Sequence, residues 1–486
     1  MNRVPRSLGL VWFLLPFLVY VSTLQGRISY WDTGEMQTVP WIFGIPHSTG
    51  FPAYVLAAGL FAHVFALGTV AWRTAFLCAL FTLGSVAVVY AIVTRITGDR
   101  LSAACAASLL AFGWYFWIYG DRAEIHAMGA LCASLALLFA LRGYYDADLR
   151  WFFGAALAFG VGLATHPIAI FVFPSLLVLG AARRKLFDRR AAGVVLALML
   201  APLLLYAYLP VRSALVVAHG LDPRAALGKP LGAAIWNTDN PHTWNGFVRL
   251  VSGADFHAAA SVLHVADLPS YGANIGVFFA GMYREFTPVG AAAACICFVI
   301  LFRRRSSVAF ALLFAVVFPA AFALAYPPVV EIQRYFFIPM IAVAATIGLG
   351  ITALPQRYRN LLRVPIAATA AFLLVTNYAD ARLYAGSGAE ELIAEVRRAT
   401  PNDAIVIADW TRGTALAYAQ YVSGDLPGRI IDIAWPFQDM RYLPRWLSER
   451  PVYYVGRPVV RSNRLLLCRI SKDYPVYEVH MEPARC

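Results

Sequence analysis

Charge is scarce in this chain, and acidic charge scarcest. Of 486 residues 14% are charged, with 27 Asp and Glu set against 40 Lys and Arg. Soluble globular domains carry about 25% charged residues, which excludes an ordinary soluble fold. The seven cysteines contain no CxxC pair and no zinc spacing, so no cysteine-based metal site is indicated. No internal repeat stands out, and the C-terminal part lacks the G-x-G-x-x-G of a dinucleotide site. The formal charge of +13 would suit a nucleic-acid binder, but no nucleic-acid module is visible. Much of the basic excess sits in short loops between apolar runs, where membrane topology explains it better.

What the chain has instead is apolar length. Hydrophobic residues make up 60% of it, and many runs reach the roughly 20 residues that a helix needs to cross a bilayer. Leu8–Leu24 follows Arg3 and Arg6, and Thr23–Ser29 offers no convincing cleavage site, so it reads as an uncleaved first span with a cytoplasmic N-terminus. Further spans are Val70–Val93, Leu101–Tyr119, Ala127–Leu141, a pair Trp151–Ala164 and Pro167–Leu179 hinged at His166, then Ala191–Leu209. Pro288–Phe302, Val308–Ala325, Tyr335–Leu354 and Pro365–Tyr378 complete the set, with Gly272–Phe286 a separate apolar piece. Phe51–Leu67 reads as interfacial or re-entrant. The expectation is a polytopic α-helical membrane protein of about eleven transmembrane helices, N-terminus in and C-terminus out. The membrane domain covers residues 1–380, with outward loops at 25–70, 119–126, 210–270 and 326–334.

From about Tyr384 the pattern changes. Glu390, Glu391, Glu395, Arg397 and Arg398 mark an amphipathic helix, and strand signals follow at Ala404–Ala408, Arg429–Ile433, Val452–Val455 and Leu465–Ile470. Residues 384–486 read as a small extracytoplasmic α/β domain. Cys78, Cys105, Cys132, Cys295 and Cys297 lie in apolar runs as small core- or lipid-facing residues. Cys468 and Cys486 are open to a disulfide if the C-terminal part lies outside the cytoplasm.

The chemistry-bearing stretch is Tyr30–Pro52, Y-W-D-T-G-E-M-Q-T-V-P-W-I-F-G-I-P-H-S-T-G-F-P. It places Asp32 and Glu35 where the chain leaves the bilayer, among aromatics and shaped by Gly and Pro. Asp121, Arg122 and Glu124 come to the same face from the second outward loop. Such carboxylates serve as a general base for a hydroxyl or as oxygen ligands for a divalent cation, Mg or Mn, with Asp32 and Glu124 as the ligands. Asp121 and Arg122 also read as a structural ion pair that supports the loop. Arg334 and Arg212 are cations on this face suited to a lipid phosphate, although an Arg at a membrane boundary also snorkels. His47 and His166 beside Pro or turn residues read as structural hydrogen-bonding groups or as phosphate-binding ones. Trp236, Asn237, Asp239, Asn240, His242, Trp244 and Asn245 have the mix of ring faces and polar groups that sugar recognition uses, which is also ordinary loop composition.

The blocks W-D-T-G-E-M…G-I-P-H-S-T-G-F-P-A-Y and V-A-W-R-T-A-F-L-C-A-L-F, with F-W-I-Y-G-D-R-A-E-I-H, G-L-A-T-H-P, L-Y-A-Y-L-P-V-R-S and E-I-Q-R-Y-F-F-I-P, cover most of the membrane part. They resemble a family of bacterial and eukaryotic membrane proteins whose animal member is an O-mannosyltransferase acting on plexin-type receptor domains. The resemblance implies the GT-C glycosyltransferase fold and a polyprenyl-phosphate-linked sugar as donor, mannose by the animal member's activity. It implies a catalytic acid in the first outward loop, Asp32 by position, with Glu35 beside it and Glu124 from the second loop. His166, Arg212 and Arg334 match further blocks. The chain departs from the family at His47-Ser-Thr-Gly-Phe-Pro, where H-P-P-G-Y-P is usual, and at Glu124-Ile125-His126, where E-V-Y is common.

The sequence-based expectation is an inverting membrane glycosyltransferase whose acceptor is a protein, lipid or glycan hydroxyl at the extracytoplasmic face. The Ala- and Arg-rich composition points to a bacterial inner membrane and an undecaprenyl carrier. The rival readings are a polyprenyl-lipid transporter or flippase and an inactive lipid-binding homologue. Transporters place ionisable residues mid-membrane on broken helices, often in related halves, whereas here the acids cluster at one face.

Overall fold

The computed structural model describes residues 6–254, 268–325, 332–435, 438–458 and 465–481. Residues 255–267 and 326–331 of the expected outward loops, and Cys486, lie outside them. The chain divides into two compact units, Met1–Leu24 with Phe76–Leu205 and His257–Ala385, and Gln25–Ala75 with Tyr206–Phe256 and Gly386–Cys486.

The first unit is helical. Among the described residues seven helices are long and apolar enough to cross a membrane, and eight if a bent pair counts as one span. The apolar helices Trp12–Thr23, Leu149–Thr165 and Pro167–Ala182 are shorter, as is Pro52–Val64 of the second unit. In lipid the hydrophobic effect gives helices little reason to associate, so dispersion contacts and close approach must hold them. The core accordingly mixes small and large residues: Ala136, Leu137, Ala140, Phe159, Ala311 and Ala345 are all buried in one cluster. Gly350 packs so tightly on Cys297 that a Cβ there would collide with it.

One expectation for this unit needs correction. The run Leu101–Tyr119 is not one helix but Arg100–Ala111 and Trp114–Gly120, bent by 67°. The break is held by Glu285, whose carboxylate accepts from the backbone N–H of Tyr115 at 2.9 Å and of Phe116 at 3.3 Å. These are first-turn donors that a new helix start leaves without partners, and the space belongs to Gly113, since a Cβ there would strike the carboxylate. The two pieces expected around Arg284–Pro288 stand as two helices: Leu268–Arg304 leaves helical geometry at Thr287 (φ 59°, ψ 170°), just before Pro288. Pro lacks an N–H and disfavours helical geometry in the residue before it, which accounts for the break.

The second unit contains a five-stranded sheet: β1 (Ile405–Ala408), β2 (Ile430–Ile433), β3 (Val452–Val455), β4 (Leu465–Arg469) and β5 (Val476–Met481). Its order is β2-β1-β3-β5-β4, with β1 parallel to both β2 and β3, and β5 antiparallel to β3 and β4. Four strands stand where the sequence places them, and β5 is additional. Alternation along β1 sends Val406 and Ala408 to one core with Leu392, Leu416 and Val455. Ile405 and Ile407 go to the other, with Trp446, Tyr454 and Leu227. Residues 227–229 are thus built into this layer: Leu227 packs there, and its carbonyl accepts from the buried Trp446 Nε1 at 2.9 Å. Lys229 bridges Asp432 and Asp439 at 2.6 Å each. Cys468 on β4 is disulfide-bonded, and the other described cysteines are free.

Candidate active site

In the second unit the stretch around Asp32 folds into the helix Trp31–Ile42. An acidic residue in the first turn suits the positive end of the helix dipole, and Asp32 occupies that turn. The entry is tied down by Gln37, which accepts from Ser29 N at 2.9 Å and donates to the Arg27 carbonyl at 2.9 Å. The exit turns through Phe43 in the left-handed region (φ 48°), whose N–H reaches back to Pro40, while Gly44 N–H reaches Val39. Exposed carbonyls remain there, and Arg212 satisfies them, donating to Phe43 at 2.6 Å and Ile42 at 2.9 Å. Tyr208 adds hydroxyl bonds to Phe43 and Gly44. Arg212 is therefore a capping group for the helix that carries Asp32. Arg73 of the V-A-W-R block caps the helix Pro52–Val64 in the same way, through the carbonyls of Ala62 at 2.8 Å and Ala66 at 3.1 Å.

The return past Gly44 and Pro46 brings His47 onto Glu35. Glu35 is fully buried, and an isolated buried carboxylate is costly. His47 compensates twice, with its backbone N–H on Oε1 at 2.8 Å and its ring Nδ1 on Oε2. Asp32 is half-buried. Its Oδ1 accepts from Trp410 Nε1 at 2.9 Å. The rings of Phe51 and Trp410 stand edge-on to His47 at 5.1 and 5.8 Å. One donor atom from each of Asp32, Glu35 and His47 lies within 4.8 Å of the others.

Trp410 carries no signal in its own neighbourhood of sequence. It follows Asp409 at the carboxyl end of β1, beside the point where strand order reverses (β2 on one side, β3 on the other). Ligand sites of open α/β sheets gather at such ends, and that rule, applied to the A-I-V-I-A strand, would have found it.

The first unit holds a second constellation. Glu124 caps the helix Ile125–Asp146, its side chain accepting from His126 N. Its Oε1 also meets His126 Nδ1 at 2.6 Å. Oε2 faces Arg122 at 3.4 Å and Arg334 at 3.6 Å. All four side chains are buried or nearly so. Burial pushes the Glu124 carboxyl up, but His126, Arg334 and Arg122 outweigh it and hold the group well below the usual range. Tyr119 lies under the Arg122 guanidinium at 4.4 Å. The His166 ring sits 4.6 Å from His126, and Tyr335 is 5.1 Å from His126. His166 Nδ1 accepts from Ile168 N at 3.1 Å, capping the turn Pro167–Val172. Asp121 accepts from Thr23 Oγ1 at 2.6 Å and Trp117 Nε1 at 3.1 Å. Burial raises its pKa well above normal, opposed by those two donors.

The residues singled out from sequence thus fall into two groups, Asp32, Glu35 and His47 in one unit, and Arg122, Glu124, His166 and Arg334 in the other. Tyr335 and Trp410 were not anticipated. A metal on Glu124 fits poorly, because the cations around that carboxylate would repel a divalent ion. Asp32, Glu35 and His47 have the hard-oxygen and imidazole donors such an ion takes.

Residues 32–187 match the family model described as the Protein O-mannosyl-transferase TMEM260 N-terminal domain. The resemblance drawn from the motifs is thereby shown. The mouse Protein O-mannosyl-transferase TMEM260 is 25% identical over 482 residues, 90% of this chain and 64% of its own length. The Dictyostelium discoideum protein of the same name is 23% identical over 129 residues, 26% of this chain and 16% of its own. The chain therefore spans less than two thirds of these relatives. The structure is similar to that of ArnT from Cupriavidus metallidurans bound to undecaprenyl phosphate, with a TM-score of 0.63, 12% identity and 98% of each chain covered. That likeness shows the fold, which is of the GT-C class expected from the sequence. With the apolar helices, it makes the chain a multi-pass membrane protein.

Proposed function

We propose that this chain is a membrane glycosyltransferase that moves a sugar, mannose by the activity named for its relatives, from a polyprenyl-phosphate carrier to an acceptor hydroxyl. The observation that carries the reading is the arrangement of Asp32, half-buried and held by Trp410, beside a Glu35–His47 pair that cannot move without losing two hydrogen bonds. A base must be fixed and reachable by its substrate, and Asp32 meets both conditions. It takes the proton of the acceptor hydroxyl as that oxygen bonds to the sugar's anomeric carbon. The bond from that carbon to the carrier phosphate breaks, its electron pair leaves with the phosphate, and the configuration inverts. In the first unit, Arg334 and Arg122 are suited to binding a phosphate, since guanidinium–phosphate bonds are charge-assisted.

A divalent ion at this centre would be held by Asp32, Glu35 and His47, where it would supply Lewis-acid stabilisation of an oxyanion. A bound carrier phosphate in the ArnT structure supports a polyprenyl-phosphate donor here. The disulfide at Cys468 supports an extracytoplasmic position for the sheet, because such bonds persist outside the reducing cytoplasm.

The test is release of polyprenyl phosphate by the detergent-purified protein offered undecaprenyl-phosphate mannose, glucose and galactose. Turnover of one donor, with or without acceptor, that vanishes in Asp32→Asn establishes the reading. Equal release by both proteins, or none with any donor despite tight binding of all three, points to a lipid carrier instead.

A further inference from the structure

Four of the five aromatic residues in Tyr30–Pro52 have an evident place in the fold. Tyr30 packs against the core of the sheet. Trp41 and Phe43 stack on His63 at 4.1 and 5.3 Å, and Phe51 stands edge-on to His47. The fifth, Trp31, is 47% exposed. Its side chain makes no hydrogen bond and no ring contact with another described residue. An indole left uncovered gives up the burial that a large aromatic ring otherwise contributes, and this one stands immediately before Asp32.

The backbone at Trp31 is also held in an unfavourable place. Its φ is 58°, in the left-handed region that bulky side chains avoid. Neighbouring contacts hold the chain there. The Gly34 N–H closes the turn on the Tyr30 carbonyl at 3.2 Å, and a Cβ at Gly34 would collide with the Ser29 carbonyl. Gln37 ties down Ser29 and Arg27 on the entering chain. Strain of this kind collects at binding and catalytic sites, where the surrounding structure enforces it.

Position decides what the ring would meet. Consecutive Cα atoms are about 3.8 Å apart, so a sugar presented to the Asp32 carboxylate comes within a side chain's reach of the indole. A pyranose has apolar C–H faces and polar edges. An indole offers a flat apolar face with an electron-rich π-system, whereas Asp32, Glu35 and His47 offer polar atoms suited to the edges.

We infer that the Trp31 ring is the stacking surface for the sugar that the donor carries, and so a specificity-determining contact of the Asp32 centre. The inference rests on the glycosyltransferase reading and adds to it the group that recognises the sugar, as distinct from its phosphate.

The experiment measures equilibrium affinities in detergent for bare undecaprenyl phosphate and for undecaprenyl-phosphate mannose, glucose and galactose. The proteins are the intact chain, Trp31→Leu, which stays apolar without a flat ring, and Trp31→Phe, which keeps a smaller ring. For at least one sugar, the affinity relative to the bare lipid falls about fivefold in Trp31→Leu, the scale of one aromatic contact. Trp31→Phe recovers part of it, and bare undecaprenyl phosphate binds all three proteins within about twofold. Because the readout is a ratio within each protein, incomplete folding does not imitate the effect. A ratio unchanged in Trp31→Leu for every sugar overturns the inference. So does an equal fall for bare and sugar-bearing lipids, which marks Trp31 as an anchor at the membrane interface. Turnover of the same donors by the intact chain is followed alongside. Turnover with an unchanged ratio leaves the glycosyltransferase reading standing without Trp31, and no turnover with any donor removes the reading and the inference together.

Discussion

The molecule builds the same pair twice, Glu35–His47 in one unit and Glu124–His126 in the other. In each, ring Nδ1 meets the carboxylate and a backbone N–H of the same histidine meets it too. What differs is the company. Around the first stand Asp32 and Trp410, and around the second two guanidiniums. A Glu–His pair with a second carboxylate beside it is equipped to handle a proton. The same pair with two permanent cations is equipped to hold an anion. The same pair thus stands in two electrostatic settings, set by neighbours near in sequence (Asp32, Arg122) and far from it (Trp410, Arg334).

The largest effect that separates them is on turnover. Asp32→Asn should lower the rate of sugar transfer by about 10²–10⁴-fold, the usual contribution of a general base, while leaving the affinity for undecaprenyl phosphate within about twofold. Arg334→Gln should do the reverse, weakening lipid-phosphate binding by about 10- to 100-fold, the worth of a charge-assisted bond, with transfer near normal at saturating donor. Single-turnover rates and equilibrium binding of the same two variants decide the matter. If Asp32→Asn loses binding and Arg334→Gln loses chemistry, the two roles are reversed.

Arg334→Gln also has a pH signature. Glu124 is held below its ordinary value in the folded protein, so it contributes stability that is present above that value and lost as pH falls through the folded one. With one cation removed its folded pKa rises. Thermal unfolding from pH 7 down to strongly acidic pH should therefore show a smaller acid-side loss in the variant, complete at a higher pH, with its onset unchanged. A curve that keeps the wild-type shape removes Arg334 from the electrostatics of Glu124.

A smaller effect tests the first pair. Trp410→Phe deletes the N–H donated to Asp32 and should cost about 1 kcal/mol, roughly fivefold in rate. The affinity for undecaprenyl phosphate should stay within about twofold. A loss of affinity as large as the loss of rate would make Trp410 a packing residue only.

Sequence motifs made part of this visible. W-D-T-G-E and G-I-P-H lie on one short stretch, so Asp32, Glu35 and His47 could be grouped without a structure, and four of five strands showed in their alternation. The rest depends on contacts no local pattern encodes. Trp410 is 378 residues from Asp32. Glu285 is 170 residues from the helix start it caps, where one expected helix is two. Arg212 looked like a phosphate ligand because a cation near a membrane boundary has no sequence mark that separates gripping a lipid from capping a helix. The stretch 210–270 read as a loop for a similar reason, since the anchor of its described part is Leu227 meeting Trp446, 219 residues on.

A contrast of another kind lies beside the second pair, where Asp121 behaves oppositely to Glu124. Burial raises its pKa, so in the folded chain it favours the protonated form. Such a group contributes stability that is complete below its unfolded pKa and lost as pH rises through the folded one. At neutral pH the acid is then a net cost, whereas the adjacent Glu124 is a net gain. Asp121→Asn keeps an oxygen to accept from Thr23 and Trp117 and removes the titration. It should raise thermal stability at pH 7, by about 1.4 kcal/mol for each pK unit of the rise it abolishes, and make no difference near pH 4. A variant destabilised equally at both pH values would mean that Asp121 is ionised in the folded chain and paired, and the contrast between these two neighbouring carboxylates would be gone.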